Sequence, residues 1–117
     1  MSEASATETV RYCAVVRLTA LAPWLRLTAA ERGAVVADKV VPLLAAHPGV
    51  RLRWIDVESF TADCSDIVIA ECADPRAWNR CFEDLRDTVL FTVPYFRLDG
   101  LHVGIEEGHR DAAGEAA

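Results

Sequence analysis

Two acidic side chains, Asp56 and Glu58, stand two positions apart in a segment of alternating residue types, with Trp54 two positions before them. On a β-strand, side chains at this spacing share one face and lie roughly 6–7 Å apart. If that face lines a cavity, repulsion between the charges and loss of water make one of the two carboxyl groups hold a proton. That group can then act as a general acid or base. The alternative is a solvated strand end that leads into a loop at Ser59. The first interpretation makes Asp56 and Glu58 candidate catalytic residues.

His102 is the third candidate catalytic residue. It lies in an alternating segment with Phe96 and Leu98, whereas His47 belongs to a predicted helix end and His109 to the tail. An imidazole exchanges protons near neutral pH, so a strand histidine beside a cavity can carry a proton to or from a substrate. The alternative is a histidine with a purely structural or surface role.

Four further residues are candidates for substrate binding. Arg17 falls on the non-core side of the first predicted strand and can bind a carboxylate, or else pair with acids on neighbouring strands. Trp54 and Tyr95 are placed by alternation to contact a cavity. Asp66 opens the third predicted strand and approaches the same region across a hairpin, or else caps the turn before it.

Several kinds of site have no support in the sequence. The cysteines Cys13, Cys64, Cys72 and Cys81 form no C-x-x-C pair, and the histidines lie elsewhere in the sequence. The chain has no G-x-G-x-x-G, P-loop, H-E-x-x-H or G-x-S-x-G motif. We therefore expect no bound metal and no cofactor.

The composition narrows the class of partner. The 117 residues carry a net charge of −6, which disfavours nucleic acids and anionic membrane surfaces. No apolar run approaches the roughly 20 residues that span a bilayer. Residues 1–8 contain acids and lack the apolar core of a secretory signal. We expect a cytoplasmic protein with a disordered N-terminus (1–8), a single domain (9–109) and a flexible C-terminal tail (110–117).

The elements that must position these side chains follow from periodicity. Period-two alternation predicts strands at 10–19, 50–58, 66–72 and 94–105. A capping box at Thr28 begins a helix that ends near His47, and Asp74 followed by proline begins a second helix. The apolar stripe of that second helix is Trp78, Cys81, Phe82 and Leu85. The order of elements is therefore βαββαβ.

This order predicts an α+β, ferredoxin-like domain, in which an antiparallel four-stranded sheet carries both helices on one face. The other face then exposes apolar side chains. Many such domains cover it by pairing into a dimeric α/β barrel that encloses a ligand cavity. We therefore expect a homodimer.

Several segments carry a more specific signal, and together they resemble the darcynin family, a group of small proteins without a defined general function. They are residues 53–56, 64–66, 85–88, 91–96 and 104–108. The resemblance extends from about residue 12 to 108 and implies a dimeric α/β-barrel fold, but no agreed catalytic residues. The chain departs from the family pattern at residues 100–102 and at His109, where we expect more aliphatic or aromatic residues.

The preferred interpretation of function is a cofactor-independent enzyme of bacterial specialised metabolism. A cyclase, an isomerase or a monooxygenase would act on a small organic molecule in an apolar cavity, with proton transfer by His102 or by the Asp56 and Glu58 pair. The alternative is a non-catalytic ligand-binding or dimerisation module.

Overall fold

A computed structural model of the protein describes residues 10–106. The predicted terminal segments 1–8 and 110–117, the last two residues of the segment 104–108, and His109 lie outside the described residues. Within residues 10–106, no helix is both long and apolar enough to cross a membrane.

One four-stranded sheet forms the centre of the fold. Its strands are β1 (Tyr12–Ala20), β2 (Val50–Asp56), β3 (Asp66–Cys72) and β4 (Phe96–Ile105), in the spatial order β2-β3-β1-β4. Every neighbouring pair of strands is antiparallel. This is the predicted ferredoxin-like topology, in which each long helix connects two strands that lie on either side of a third.

The first long helix, α2, follows a single helical turn, α1 (Ala22–Leu25). It runs through three consecutive segments, Ala29–Val35, a π-helical turn at Val36–Val40, and Val41–Ala45. The predicted capping box is present: Glu31 N–H donates to Thr28 Oγ1 at 3.1 Å, and Thr28 N–H donates to Glu31 Oε1 at 2.8 Å.

The second long helix, α3 (Pro75–Arg86), begins where Asp74 Oδ1 accepts a hydrogen bond from Arg76 N–H at 2.9 Å. A further turn, α4 (Val89–Thr92), follows it and begins at Thr88. The sequence did not predict α1 or α4, because a four-residue helix is too short to show a periodic apolar stripe.

The core lies between the sheet and the helices. All four residues of the predicted α3 stripe are buried, and Trp78 stacks on Phe82 with ring centroids 4.8 Å apart. The sheet contributes alternate side chains of its two central strands. These are Ala14, Val16 and Leu18 of β1, and Val68, Ala70 and Cys72 of β3.

A β-bulge changes which face of the sheet the second half of β4 presents. Leu18 pairs with Leu98, but the next residue back, Arg17, pairs with Gly100, so Asp99 is an extra residue in β4. Beyond the bulge, His102 pairs with Val15, on the face away from the helices. Its predicted position on the same face as Leu98 is therefore wrong, because simple alternation does not continue through a bulge.

Candidate ligand-binding site

A cavity of about 390 Å³ lies between α2 and the helix-covered face of the sheet. This volume is within the usual range for small-molecule sites. The wall is apolar except for one carboxylate. Its lining residues are Trp24, Val36, Val40, Val41, Leu44, Leu52, Trp54, Asp66, Leu90 and Phe96.

Helix α2 forms one wall of this cavity, and its central part packs loosely there. Val40 is the one buried residue of the whole helix, whereas Val36 and Val41 are 40% and 55% exposed although they line the cavity. All three lie in or next to the π turn, where an extra residue widens the helix. The part of α2 around the π turn thus borders the cavity, whereas Val35, Leu43 and Leu44 on either side of it pack against the core.

Aromatic rings form the opposite wall. The Phe96 ring centroid lies 5.0 Å from that of Trp24 and 5.6 Å from that of Trp54. The Tyr95 ring centroid lies 5.3 Å from that of Trp24, but Tyr95 is not among the lining residues. Of the two aromatic residues expected to contact a cavity, Trp54 therefore lines it, and Tyr95 supports a ring that does.

Asp66 is the one titratable residue of the lining. Trp54 Nε1–H donates a hydrogen bond to its Oδ2 at 2.8 Å, and the Ser65 hydroxyl donates to its Oδ1 at 2.5 Å. Ser65 is itself buried, and its oxygen accepts a hydrogen bond from Ala20 N–H at 2.7 Å. The carboxylate is thus held by two side chains, and each of its oxygens keeps a lone pair with which it can accept another hydrogen bond.

Asp56 and Glu58 are not on one strand face, contrary to the sequence-based prediction. Strand β2 ends at Asp56, and Glu58 follows in an exposed turn. The backbone N–H of Glu58 donates a hydrogen bond to Asp56 Oδ1 at 3.2 Å. The sheet register instead places Asp56 directly opposite Asp66. The two carboxylates that share a face therefore come from adjacent strands, and a turn that starts two residues early separates Glu58 from them.

Arg17 and His102 lie on the other face of the sheet. We call this the open face, and its described side chains include Val15, Arg17, Ile67, Ile69 and His102. Arg17 pairs with Ile67 and Gly100, and His102 pairs with Val15. The structure therefore brings Trp54 and Asp66 together at the cavity and places Arg17 and His102 on the far side of the sheet.

Sequence reasoning did not identify Ser65 or the valines of α2 as part of the site. The valines occur at helical spacing, which indicates a core face, and a π turn leaves no recognisable sequence pattern. Ser65 did carry a signal, because a serine directly before a strand-opening aspartate can reach its carboxylate. Within residues 10–106, no cluster of three or more His, Cys, Asp or Glu side chains is arranged to hold a metal ion.

Residues 5–117 match the family model described as "Darcynin, domain of unknown function". Darcynin from Chromobacterium violaceum is 40% identical over 70 residues, which cover 60% of this chain and 89% of that protein. Darcynin 1 from Acinetobacter baumannii is 32% identical over 85 residues, covering 73% of this chain and 94% of that protein.

Solved structures with the same fold include chlorite dismutases of Candidatus Nitrospira defluvii. One mutant form superposes with a TM-score of 0.74 at 13% identity and covers 99% of this chain and 48% of that chain. The imidazole complex of the same enzyme superposes with a TM-score of 0.70 at 12% identity, covering 90% and 43% respectively. The chain thus spans less than half the length of these enzymes, and at such identity the likeness shows the fold alone.

Proposed function

The chain belongs to the darcynin family, and we propose that it binds a small, largely apolar organic molecule in the cavity between α2 and the sheet. One observation carries this proposal: a single anchored carboxylate faces an otherwise apolar, aromatic space. Apolar walls supply affinity by removing hydrocarbon from water, and a few placed polar groups orient the ligand. The ligand expected here has a ring or a branched chain and one hydrogen-bond donor directed at Asp66.

We further propose that the bound molecule undergoes proton transfer without a cofactor. A carboxylate with lone pairs directed into an apolar cavity can accept a proton from an acidic C–H or O–H group of the ligand. Asp66 is then the base, Trp54 and Ser65 hold its orientation, and Asp56 lies next to it across the strand pair. Once protonated, Asp66 returns the proton to another atom of the ligand, so the step suits an isomerase or a cyclase, and it leaves His102 outside the reacting site.

A non-catalytic ligand-binding module is the second candidate. Apart from Asp66, no lining residue of the cavity titrates, so no second group at the wall is available to return the proton to the ligand. In a pure binding site, the same carboxylate would act only as a hydrogen-bond acceptor.

The binding proposal is tested with 2-naphthol, an aromatic molecule with one O–H donor, and with 2-methylnaphthalene, which has a similar shape but no donor. Titrations followed by tryptophan fluorescence should show tighter binding of 2-naphthol to the wild type, and Asp66→Asn should remove most of that preference. Val36→Trp, which fills the cavity from a partly exposed position, should weaken both ligands. If neither compound binds, or if Val36→Trp binds both as well as the wild type, the cavity is not the ligand site.

Turnover separates the two candidates once a ligand is known. In an enzyme, Asp66→Asn should lose the reaction, while its affinity for the ligand should fall only by the contribution of the hydrogen bond to Asp66. Binding of the natural ligand by the wild type with no chemical change in it would favour the binding module.

The homodimer also remains our proposal, with the open face as the contact surface. Val15 and Ile55 on this face are 36% and 37% exposed, and Ile67 and Ile69 lie beside them. A contiguous apolar strip of this kind on a sheet is stabilised when a second copy covers it.

A further inference from the structure

We propose that the open face carries a second ligand site, in which the Arg17 guanidinium binds the carboxylate of a small organic acid. This site lies across the sheet from the cavity and does not depend on the function proposed for it; in the proposed homodimer, the second copy would enclose it between the two sheets. The inference rests on the environment of Arg17, on the glycine beneath it and on the apolar side chains around it.

Arg17 is a half-buried cation without a matching anion in the described part of the chain. It lies in the middle of β1, between Ile67 of β3 and Gly100 of β4. Within residues 10–106, its one hydrogen bond is a long one, from Nη2 to the Asp99 carbonyl oxygen at 3.5 Å, and no carboxylate oxygen lies within 4.0 Å. A guanidinium has five N–H donors, so most of them remain available to an incoming anion.

The carboxylate of Asp99, whose carbonyl oxygen accepts the hydrogen bond from Arg17, is already engaged elsewhere. It accepts hydrogen bonds from Thr19 Oγ1 and, at 2.7 Å, from Arg97 Nε, and its side chain is only 13% exposed. Partial burial raises the pKa of Asp99, but the hydrogen bonds from Thr19 and Arg97 and the charge of Arg17 outweigh it and lower the pKa overall. Asp99 thus stays ionised and turned toward Arg97, and it leaves the donor edge of Arg17 free.

Gly100 provides the space in which the guanidinium lies. A Cβ atom at this position would be 2.3 Å from Arg17 Nη2 and 2.8 Å from Cζ, much closer than any real contact. The φ angle of Gly100 is not positive, so the backbone does not itself require glycine. The bulge at Asp99 brings Gly100 directly opposite Arg17, and the guanidinium rests on the bare backbone there.

The side chains around Arg17 suit the rest of an organic acid. Ile67 is its direct cross-strand neighbour, and Val15 and Ile69 follow on the same face. His102 pairs with Val15 and adds a second hydrogen-bonding group near the site. A guanidinium binds a carboxylate through two parallel N–H···O bonds, and the neighbouring aliphatic groups can cover a ring or a short chain. The expected ligand class is therefore an aromatic or branched aliphatic monocarboxylate.

Benzoate is the probe, titrated into the full-length protein and followed by isothermal calorimetry. Arg17→Met should weaken benzoate binding at least about tenfold, since a charge-assisted pair is lost. Arg17→Lys should weaken it as well, because an ammonium group cannot form the two parallel bonds. Arg53→Met, which removes an exposed arginine of β2 on the same face, should leave binding unchanged.

A second pair of variants keeps every charge in place. Gly100→Ala should weaken benzoate binding because its methyl group displaces the Arg17 guanidinium, whereas Gly104→Ala, on the same face of β4 with open space around it, should not. Asp66→Asn should leave benzoate binding intact, so a failure of the cavity proposal is distinguishable from a failure of this one.

Two results would overturn the inference. One is that the wild type does not bind benzoate, or that Arg17→Met binds it equally well with the same oligomeric state as the wild type. The other is a change of oligomeric state in Arg17→Met, measured by light scattering, with no loss of benzoate affinity. In that case Arg17 would be contacting a second copy of the chain and not a small acid.

Discussion

Trp54 and Asp66 are diagonal neighbours on adjacent strands, joined by a hydrogen bond from the indole Nε1 to Oδ2 at 2.8 Å. The direct partner of Trp54 in the register is Val68, two residues beyond Asp66, and a long aromatic side chain reaches across that offset. The same indole packs against Phe96 and lines the cavity. One side chain therefore forms part of the apolar wall and also fixes the carboxylate within it.

Trp54→Phe should destabilise the protein by about 1–3 kcal/mol, because Oδ2 of Asp66 loses its donor in a partly buried place. The free energy of unfolding in urea measures this loss. Trp24→Phe is the matched control, since Trp24 also lines the cavity but donates no indole hydrogen bond within residues 10–106. Equal losses in the two variants would mean that the hydrogen bond to Asp66 contributes nothing beyond ring packing.

Leu90→Ala should cost about 2–5 kcal/mol of unfolding free energy, because Leu90 is only 1% exposed and its removal enlarges the cavity. Val36 lines the same cavity from a 40% exposed position, and Val36→Ala should cost about 0.5 kcal/mol or less. Urea unfolding of both variants tests this contrast. Similar losses would show that α2 packs more tightly than its exposed valines indicate.

Asp99 should make stability depend on pH in the acid range. Its pKa is lowered in the folded protein, so its stabilising contribution is fully present above the ordinary aspartate pKa of about 3.9 and is lost as the pH falls through the lower folded value. Asp99→Asn should therefore be about 1–2 kcal/mol less stable than the wild type at about pH 6.

The difference between wild type and Asp99→Asn should shrink steadily as the pH is lowered toward about 2. Unfolding in urea at a series of pH values measures it. Asp63→Asn, in the exposed loop between β2 and β3, is the control and should show no difference at any pH. A constant gap between wild type and Asp99→Asn across the series would contradict the assigned role of the carboxylate.

Cysteine alkylation should follow burial and charge. Burial raises the pKa of Cys81, which is fully buried, and Asp84 and Cys72 add to the effect. Burial and the nearby charges of Glu71 and Glu106 raise the pKa of Cys13 on the open face. Because the thiolate is the reactive form, iodoacetamide at about pH 7.5 should modify Cys13 slowly and Cys81 only after unfolding, as read by peptide mass spectrometry. Rapid labelling of Cys81 in the native protein would show that α3 opens readily.

The dimer proposal predicts that Ile69→Asp abolishes self-association, since it places a charge in the apolar strip of the open face. Light scattering over a range of concentrations measures the mass. Phe60→Asp, which replaces a 90% exposed aromatic residue in a loop, should not change the mass. A wild-type protein that remains monomeric at high concentration would refute the pairing.

The sequence predicted the features that repeat with a regular period. The buried stripe of α3 and the span of β3 agree with the structure because each is an uninterrupted pattern of apolar positions. The errors come from single residues that break a period. The extra Asp99 moves His102 to the open face, the early turn after Asp56 separates Glu58 from the strand, and the π turn of α2 opens the cavity. None of these irregularities changes the composition or the local alternation enough to be recognised in one sequence.

The bulge at Asp99 also decides which side chains the second half of β4 contributes to each face of the sheet. As it stands, Gly100 and His102 belong to the open face, while Leu101 and Val103 point to the helix side. If Asp99 paired as an ordinary strand residue instead of bulging, these two sets would exchange faces while every strand pairing direction stayed unchanged. Gain or loss of a bulge in a strand of constant length is therefore a means by which related chains can exchange polar and apolar groups between the two sides of the sheet without rebuilding the fold.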